Sequence, residues 1–323
     1  MATAMLRALR SVDLGLADVS GAEAFFTATW GLAVAARAGD SVYLRGSGSD
    51  HHLLALHPGA ESEIRMVTLR AASADALARI AADVVPAGGE LLAGRHAVDE
   101  PGGGEAVTIR DPQGRILRVI WGDATWKDAP DAGRLQAHAN RDRPIRLAHA
   151  VLNSHDVAAL LPFYDRLLGM KLSDRTRIMA FLRIPVQPVG DHHSLAFADA
   201  DNDCLNHIAF VMPDLDAVMR GGGRMRDAGY VIEWGPGRHG PGNNSFNYFI
   251  GPSGFVIEYT ADVAQIGDDY PVGTPESWKW PPDRVDHWGI SAPPSGRLKE
   301  AQRRIRFASD LVRLPISGAN PGR

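Results

Sequence analysis

Residues 191–198 read DHHSLAFA, and residues 50–57 read DHHLLALH. A phrase that recurs within one chain raises the question of internal duplication, and longer pairings answer it. SVDLGLADVSGAEAFFTATWGL (11–32) pairs with LAHAVLNSHDVAALLPFYDRLLGM (147–170), GRH (94–96) with GRH (237–239), and RDPQGRILRVIW (110–121) with IGPSGFVIEYTA (250–261). In chain order, with the HH phrases second, the offsets are 136, 141, 143 and 140 positions, in step apart from short loop insertions. The chain is read as two modules, residues 1–125 and 145–265. A polar, proline-bounded linker at 126–144, with a solvated His138, joins them, and a tail at 266–323 follows.

Each module reads strand, helix, then several strands. In the second, RLAHAVLN is an apolar strand, and Val157, Leu160, Leu161, Tyr164, Leu167 and Leu168 recur at helical spacing between Asp156 and Gly169. RIMAFLRI, HSLAFA, LNHIAFVM and NYFIGP…GFVIEY are short strands bounded by turn residues. MPDLDAVMRGGGRMRDAGY supplies a second helix, although its triple glycine (221–223) weighs against an unbroken one. SGRLKEAQRRIRFASDLV in the tail reads as a basic, solvated surface helix.

The 323 residues are 45% hydrophobic and 22% charged, with a net charge of −4. That composition is ordinary for a globular protein and offers no basic stripe for nucleic acid or an anionic membrane. Cys204 is the one cysteine, which excludes a disulfide framework or a thiolate metal cluster and fits a reducing cytoplasm. The opening stretch has no signal-peptide core, and no run approaches the ~18 apolar residues of a membrane span.

The halves differ where chemistry would reside. By the pairings above, the second has His149, His207 and Glu258 where the first has Asp13, Met66 and Arg118. Strand neighbours alternate faces, so His149 sits with Leu147 and Val151, His207 with Leu205 and Ala209, and Glu258 with Val256 and Thr260. A lone strand histidine is more often a hydrogen-bonded core residue than a ligand, and a lone Glu at a strand end is usually solvated. Here three ligand types coincide in one module, in otherwise apolar faces, where a carboxylate is costly unless paired or metal-bound. Two imidazoles and one carboxylate form the facial set that leaves open positions on a divalent iron. His193, His239, Asn243, Asn244 and Tyr248 add polar groups around it, and GPGRHGPGNNSFNYF (235–249) has the glycine content of a binding loop. His192 and His193, if extended, point to opposite faces, so only one of them can face a metal.

In their order, HAVLNSHDVAALLPFYDRLLGM, DHHSLAFA, LNHIAFVM, GRHGPGNNSFNYF and GPSGFVIEYT resemble the type I extradiol ring-cleaving dioxygenases of the vicinal oxygen chelate superfamily. These are the catechol and 2,3-dihydroxybiphenyl dioxygenases, and the resemblance covers about residues 8–265. It implies an α+β fold of tandem βαβββ modules, curved into a funnel-like mixed β-barrel in each half, with a degenerate first half. It implies Fe(II), or Mn(II), held by His149, His207 and Glu258. His193 becomes the acid–base histidine, with His239 and Tyr248 as further catalytic residues and Val151, Phe181 and Asn243 against the substrate. The implied partners are a catechol-type diol and O2, in aromatic-compound degradation by a homo-oligomer. His51 and His52, without the ligands they would serve, are structural or surface residues. Two alternatives stay open: a different metal enzyme of the same fold, isomerase or hydrolase, and a non-enzymatic module that binds an aromatic ligand or drug.

Overall fold

The fold was analysed in a computed structural model that describes residues 4–126, 142–281 and 283–308. The first half contains β1 (Leu6–Leu16), α1 (Val19–Ala24, continuing as a wider π-helical turn at Phe25–Trp30), β2 (Ala33–Ala38), β3 (Ser41–Arg45), β4 (Leu54–Pro58), β5 (Glu63–Ala71), α2 (Ala74–Asp83), β6 (Glu90–Ala97), β7 (Glu105–Arg110) and β8 (Ile116–Trp121). The second contains β9 (Arg146–Ser154), α3 (Val157–Arg166), β10 (Lys171–Arg175), β11 (Met179–Arg183), β12 (Gly190–Asp191), β13 (Leu195–Asp199), β14 (Leu205–Val211), α4 (Leu215–Asp227), β15 (Trp234–Arg238), β16 (Ser245–Ile250), β17 (Val256–Ala261) and β18 (Gln265–Ile266), before α5 (Gly296–Ala301) in the tail. Each half thus holds two βαβββ units. The expected linker lies mostly outside the described residues, as do residues 309–312 of the expected tail helix. No helix among the described residues is long and apolar enough to cross a membrane.

Each half forms one eight-stranded mixed sheet, in the orders β2-β3-β4-β1-β5-β8-β7-β6 and β10-β11-β13-β9-β14-β17-β16-β15. β1 and β5, or β9 and β14, join the two units antiparallel, while β1/β4, β5/β8, β9/β13 and β14/β17 pair parallel. The expected barrels are not closed: β10 and β15 end the second sheet without pairing to each other. The tail occupies that gap. Arg175 N donates to Gly273 O at 2.9 Å beside β10, and His287 N donates to Arg238 O at 2.7 Å on β15. Further on, Leu205 N donates to Ile305 O at 2.8 Å and Ile64 N to Arg306 O at 2.9 Å, which ties the tail to both halves. The expected long basic helix is the six-residue α5, whose Leu298 and Ala301 pack on Phe246, Tyr248 and Val256.

Two local features depart from the sequence expectation for clear reasons. Helix α4 runs unbroken through its three glycines. A Cβ on Gly221 would come within 2.8 Å of the Tyr259 ring, and one on Gly222 within 2.9 Å of Asn247, so two of these glycines let the helix lie close on the sheet. The repeat alignment also slips at the first strand. Ala209 pairs with His149 and Glu258, whereas its counterpart Thr68 pairs with Ser11 and Arg118. Ser11, not Asp13, therefore stands where His149 does. A two-residue slip keeps every side chain on its face, so alternation alone cannot detect it.

One apolar core runs through both halves. At their junction the Trp30 ring stacks on Tyr259 at 3.7 Å between centroids, and Tyr259 OH donates to Trp30 O at 2.6 Å. Phe210 and Phe249 meet the indole edge-on. Trp30→Ala is expected to cost about 3–5 kcal/mol in urea unfolding, with a loss below 1 kcal/mol, roughly a surface substitution, contradicting this placement.

Candidate metal centre

Adjacent strands β9, β14 and β17 each place one donor on the inner face of the second sheet. His149 Nε2 lies 3.2 Å from Glu258 Oε2 and 3.3 Å from His207 Nε2, and His207 Nε2 is 3.3 Å from Glu258 Oε2. All three residues are buried. Burial alone would raise the Glu258 pKa, but His149, His207 and His239 hold it well below the usual carboxylate range. Burial pushes His207 down to about 4. The cluster is thus an ionised carboxylate and a neutral imidazole converging on one point, with His149 Nε2 completing it. Donors sharing a divalent first-row ion at right angles, with bonds of ~2.1 Å, are separated by roughly 3 Å. The set fits a divalent metal.

Hydrogen bonds fix the imidazole of His207. Its Nδ1–H donates to Asn206 Oδ1 at 2.8 Å, leaving Nε2 as the lone-pair donor to a metal. Asn206 Nδ2 donates to Asn153 Oδ1 at 2.8 Å, and Asn153 Nδ2 donates to Asn202 Oδ1 and to Gln302 O, each at 2.9 Å. This chain reaches from a metal donor to the tail. Asn206→Ala is expected to weaken binding of Mn(II) or Co(II) by about 10–100-fold, measured by competition with a chelator. Unchanged affinity would show the chain to be irrelevant to the ligand.

His193 packs on His149 at 4.3 Å and edge-on to Phe181 at 5.1 Å. Its expected independence from His192 does not hold. His192 is fully buried, its Nε2–H donates to Asp174 Oδ2 at 2.7 Å, and its Nδ1 lies 3.0 Å from His193 Nδ1. The backbone before β13 is not extended, so both rings turn inward. Asp174 also accepts from Tyr270 OH at 3.2 Å and from Gly273 N at 2.8 Å, both in the tail. An acceptor at His192 Nε2–H makes its Nδ1 a lone pair, which in turn accepts from His193 Nδ1–H. His193 Nε2 is then the ring nitrogen without a proton. Burial, with His149 and His192 nearby, keeps the His193 pKa well below its ordinary value.

His239 Nε2 lies 3.1 Å from Tyr248 OH, which is 3.5 Å from His207 Nε2. Burial and Glu258 raise the Tyr248 pKa well above its ordinary value, so the phenol is a donor. His149, His193, His207, His239 and Tyr248 line a cavity of about 750 Å³, together with Val151 and Phe181. Asn243 is not brought there: it is exposed, at a φ of 48°, on the outer turn of its loop. The buried asparagine of that loop is Asn244, whose Nδ2 donates to Thr260 Oγ1 at 2.7 Å and lies 3.5 Å from Glu258 Oε1. Sequence reasoning missed Asn206, Asn153, Asp174 and the tail residues Trp278 and Trp280 on the cavity wall. Asn206, beside a ligand candidate, and Asn153, sharing a face with His149, left a signal; Asp174 and the tryptophans left none.

The residues matched to a family model described as "Glyoxalase/Bleomycin resistance protein/Dioxygenase superfamily" are 146–259, the same strands that carry the donors. Metapyrocatechase 2 of Cupriavidus necator is 32% identical over 216 residues, 60% of this chain and 67% of that protein. The chain belongs to this superfamily. The 3-methylcatechol 2,3-dioxygenase of Pseudomonas putida F1 is 27% identical over 208 residues, 62% of this chain and 67% of that one. Among solved structures, a Mn(II)-bound glyoxalase from Novosphingobium aromaticivorans superposes with a TM-score of 0.81 at 30% identity, covering 91% of this chain and 94% of that one.

The corresponding place in the first half of this superfamily member is filled by charge. Arg118 NH2 lies 2.7 Å from Glu100 and 3.6 Å from Asp13, which is 3.2 Å from His57. Arg10 contacts His52 and lies 3.3 Å from Asp123, and Arg70 pairs with Asp123 and Asp50 at 2.6 and 2.8 Å. His52 is fully buried and structural, and His51 half-buried. Arg118→Ala leaves Glu100 and Asp13 short of their cation and is expected to cost about 3–5 kcal/mol in stability, while the folded fraction keeps its full metal stoichiometry. Loss of metal from folded protein would show that the first half contributes to the centre.

Proposed function

We propose that the His149–His207–Glu258 centre holds iron(II), and that the protein uses O2 to cleave the ring of catechol-type diols outside the two hydroxyls. The observation that carries this reading is the conjunction, in one cavity, of a facial donor set with His193 and the His239–Tyr248 pair. Relatives named as catechol-cleaving dioxygenases support it. When bound, the iron supplies positions for both hydroxyl oxygens and for O2 on one ion. Sequence positions, donor types and geometry in the first half, with Ser11 and Arg118 where ligands would stand, give no support to a metal shared between halves.

The chain's residues then have distinct tasks. His193 Nε2 accepts a proton from a substrate hydroxyl, and the imidazolium so formed keeps its Nδ1–H on His192, backed by the Asp174 carboxylate. The same Nε2–H later returns the proton to an oxygen of the opening ring. Tyr248 OH and His239 present hydrogen bonds to substrate oxygens, which orients the diol. Val151 and Phe181 pack on the ring face, and the buried walls exclude water. The set of proton donors and acceptors distinguishes this cavity from a passive ligand-binding pocket.

The test is anaerobic loading with Fe(II) or Mn(II), followed by O2 uptake and the visible absorbance of ring-opened product over a panel of catechols. Uptake matched to product is expected with at least one metal. His193→Asn should retain metal and lose about 10²–10⁴-fold in kcat, whereas Glu258→Gln should lose the metal itself. A metal-loaded protein that consumes no O2 with any diol would overturn the proposal.

A further inference from the structure

The cavity lining extends well beyond the candidate metal donors, His193, His239 and Tyr248. Ile178, with Met179 and Phe181 of β11, contributes to the lining, and so does the tail. Its segment between Gly273 and His287 spans from the edge of β10 to the edge of β15, and carries Trp278 and Trp280 into the lining. Both tryptophans are half-buried. They also rest on the loop that carries His239: a Cβ on Gly240 would meet Trp280 at 2.6 Å and Trp278 at 3.0 Å. The wall is therefore packed against the catalytic loop, with no slack between them.

Cavities of ~300–1,000 Å³ enclose ligands of drug size, and this one is about 750 Å³. A bare catechol has eight non-hydrogen atoms and leaves most of that volume unfilled. The lining includes the apolar Ile178, Met179, Trp278, Trp280 and Val285, beside the polar Thr176 and Asp199. The lining cations Arg177, Lys299 and Arg303 are exposed, and Arg303 is paired with Asp201 at 2.8 Å. An apolar wall stays unsatisfied beside water and gains most from covering by apolar surface.

Resting on the ring-cleavage reading above, we propose that the preferred substrate is a diol whose ring carries a bulky apolar substituent, aryl or branched alkyl. That substituent lies between the β11 residues and the tail tryptophans, and Trp278 and Trp280 are specificity-determining residues.

Two measurements decide this. The first is kcat/KM by O2 uptake for catechol, for 3- and 4-phenyl and 3- and 4-branched-alkyl catechols, and for catechols bearing a carboxylate chain. The apolar-substituted compounds are expected to exceed catechol by about tenfold or more, the scale on which added apolar groups are discriminated by a fitted pocket. Trp280→Ala, and separately Trp278→Leu, should erase most of that ratio. The ratio is insensitive to a reduced folded fraction. The second measurement is anaerobic binding of the same compounds to the metal-loaded protein, followed by quenching of tryptophan fluorescence. The same order of affinity is expected. Catechol itself or the carboxylate-bearing diols standing first, or a ratio unmoved by both variants, would overturn the inference. If no diol is cleaved, the proposed reaction fails, and the binding order still decides the choice of ligand.

Discussion

An ionised carboxylate with no solvent exposure sets the terms for the second half of this chain. Glu258 lies on a central strand, and its ion-pair neighbours among the described residues are the three histidines 149, 207 and 239. Burial keeps the His207 imidazole uncharged, so that histidine does not offset the carboxylate charge. A divalent cation resolves that deficit and simultaneously uses the lone pairs aimed at the same point. The three adjacent strands, the hydrogen-bond chain through Asn206 and Asn153, and the buried pairing of His192 with Asp174 all serve to hold that small volume in one geometry.

The first half shows the other solution to the same structural problem. Its strands follow the same order and the same pairing, with a bulge at the same place in the first strand. Where the second half converges lone pairs, the first inserts guanidinium groups from Arg10, Arg70 and Arg118 among carboxylates. The interior of a curved sheet is wide enough to need filling, and long arginine side chains fill it while neutralising the acids. The halves are locked together by the stacked Trp30 and Tyr259, the latter only one residue from Glu258. Packing between halves therefore bears directly on a donor strand, although the first half holds no ligand.

The fold and the convergence of His149, His207 and Glu258 were legible in the sequence because duplication provides an internal comparison: residues that differ between copies, on apolar faces, stand out. Three kinds of information were not legible. A two-residue slip in the first strand preserves parity, so Asp13 was matched to His149 when Ser11 occupies that position. The turn at His192 breaks strand alternation, so a buried partner of His193 looked like its opposite-facing neighbour. The tail has no second copy to be compared with, and its tryptophans reach the cavity only through backbone bonds to two distant sheet edges. Asn243 faces outward because its positive φ turns it to the surface, a backbone conformation that strand alternation does not reveal, while Asn244 is buried beside Glu258.

The placement of the cavity wall outside the duplicated units separates two kinds of change during descent. Alterations to strands β9, β14 and β17 disturb the electrostatic balance of the centre and are confined by it. The segment between Gly273 and His287 attaches to the sheet through backbone groups, which any residue but proline can supply as donors. Apart from Gly273, which has no room for a side chain, and the buried Asp286, its side chains take no part in that anchorage. Divergence in what the cavity accepts can accumulate in the last fifth of the chain while the reactive apparatus stays constant, and grafting this terminal segment between relatives becomes a route to exchanging ligand preference as a unit.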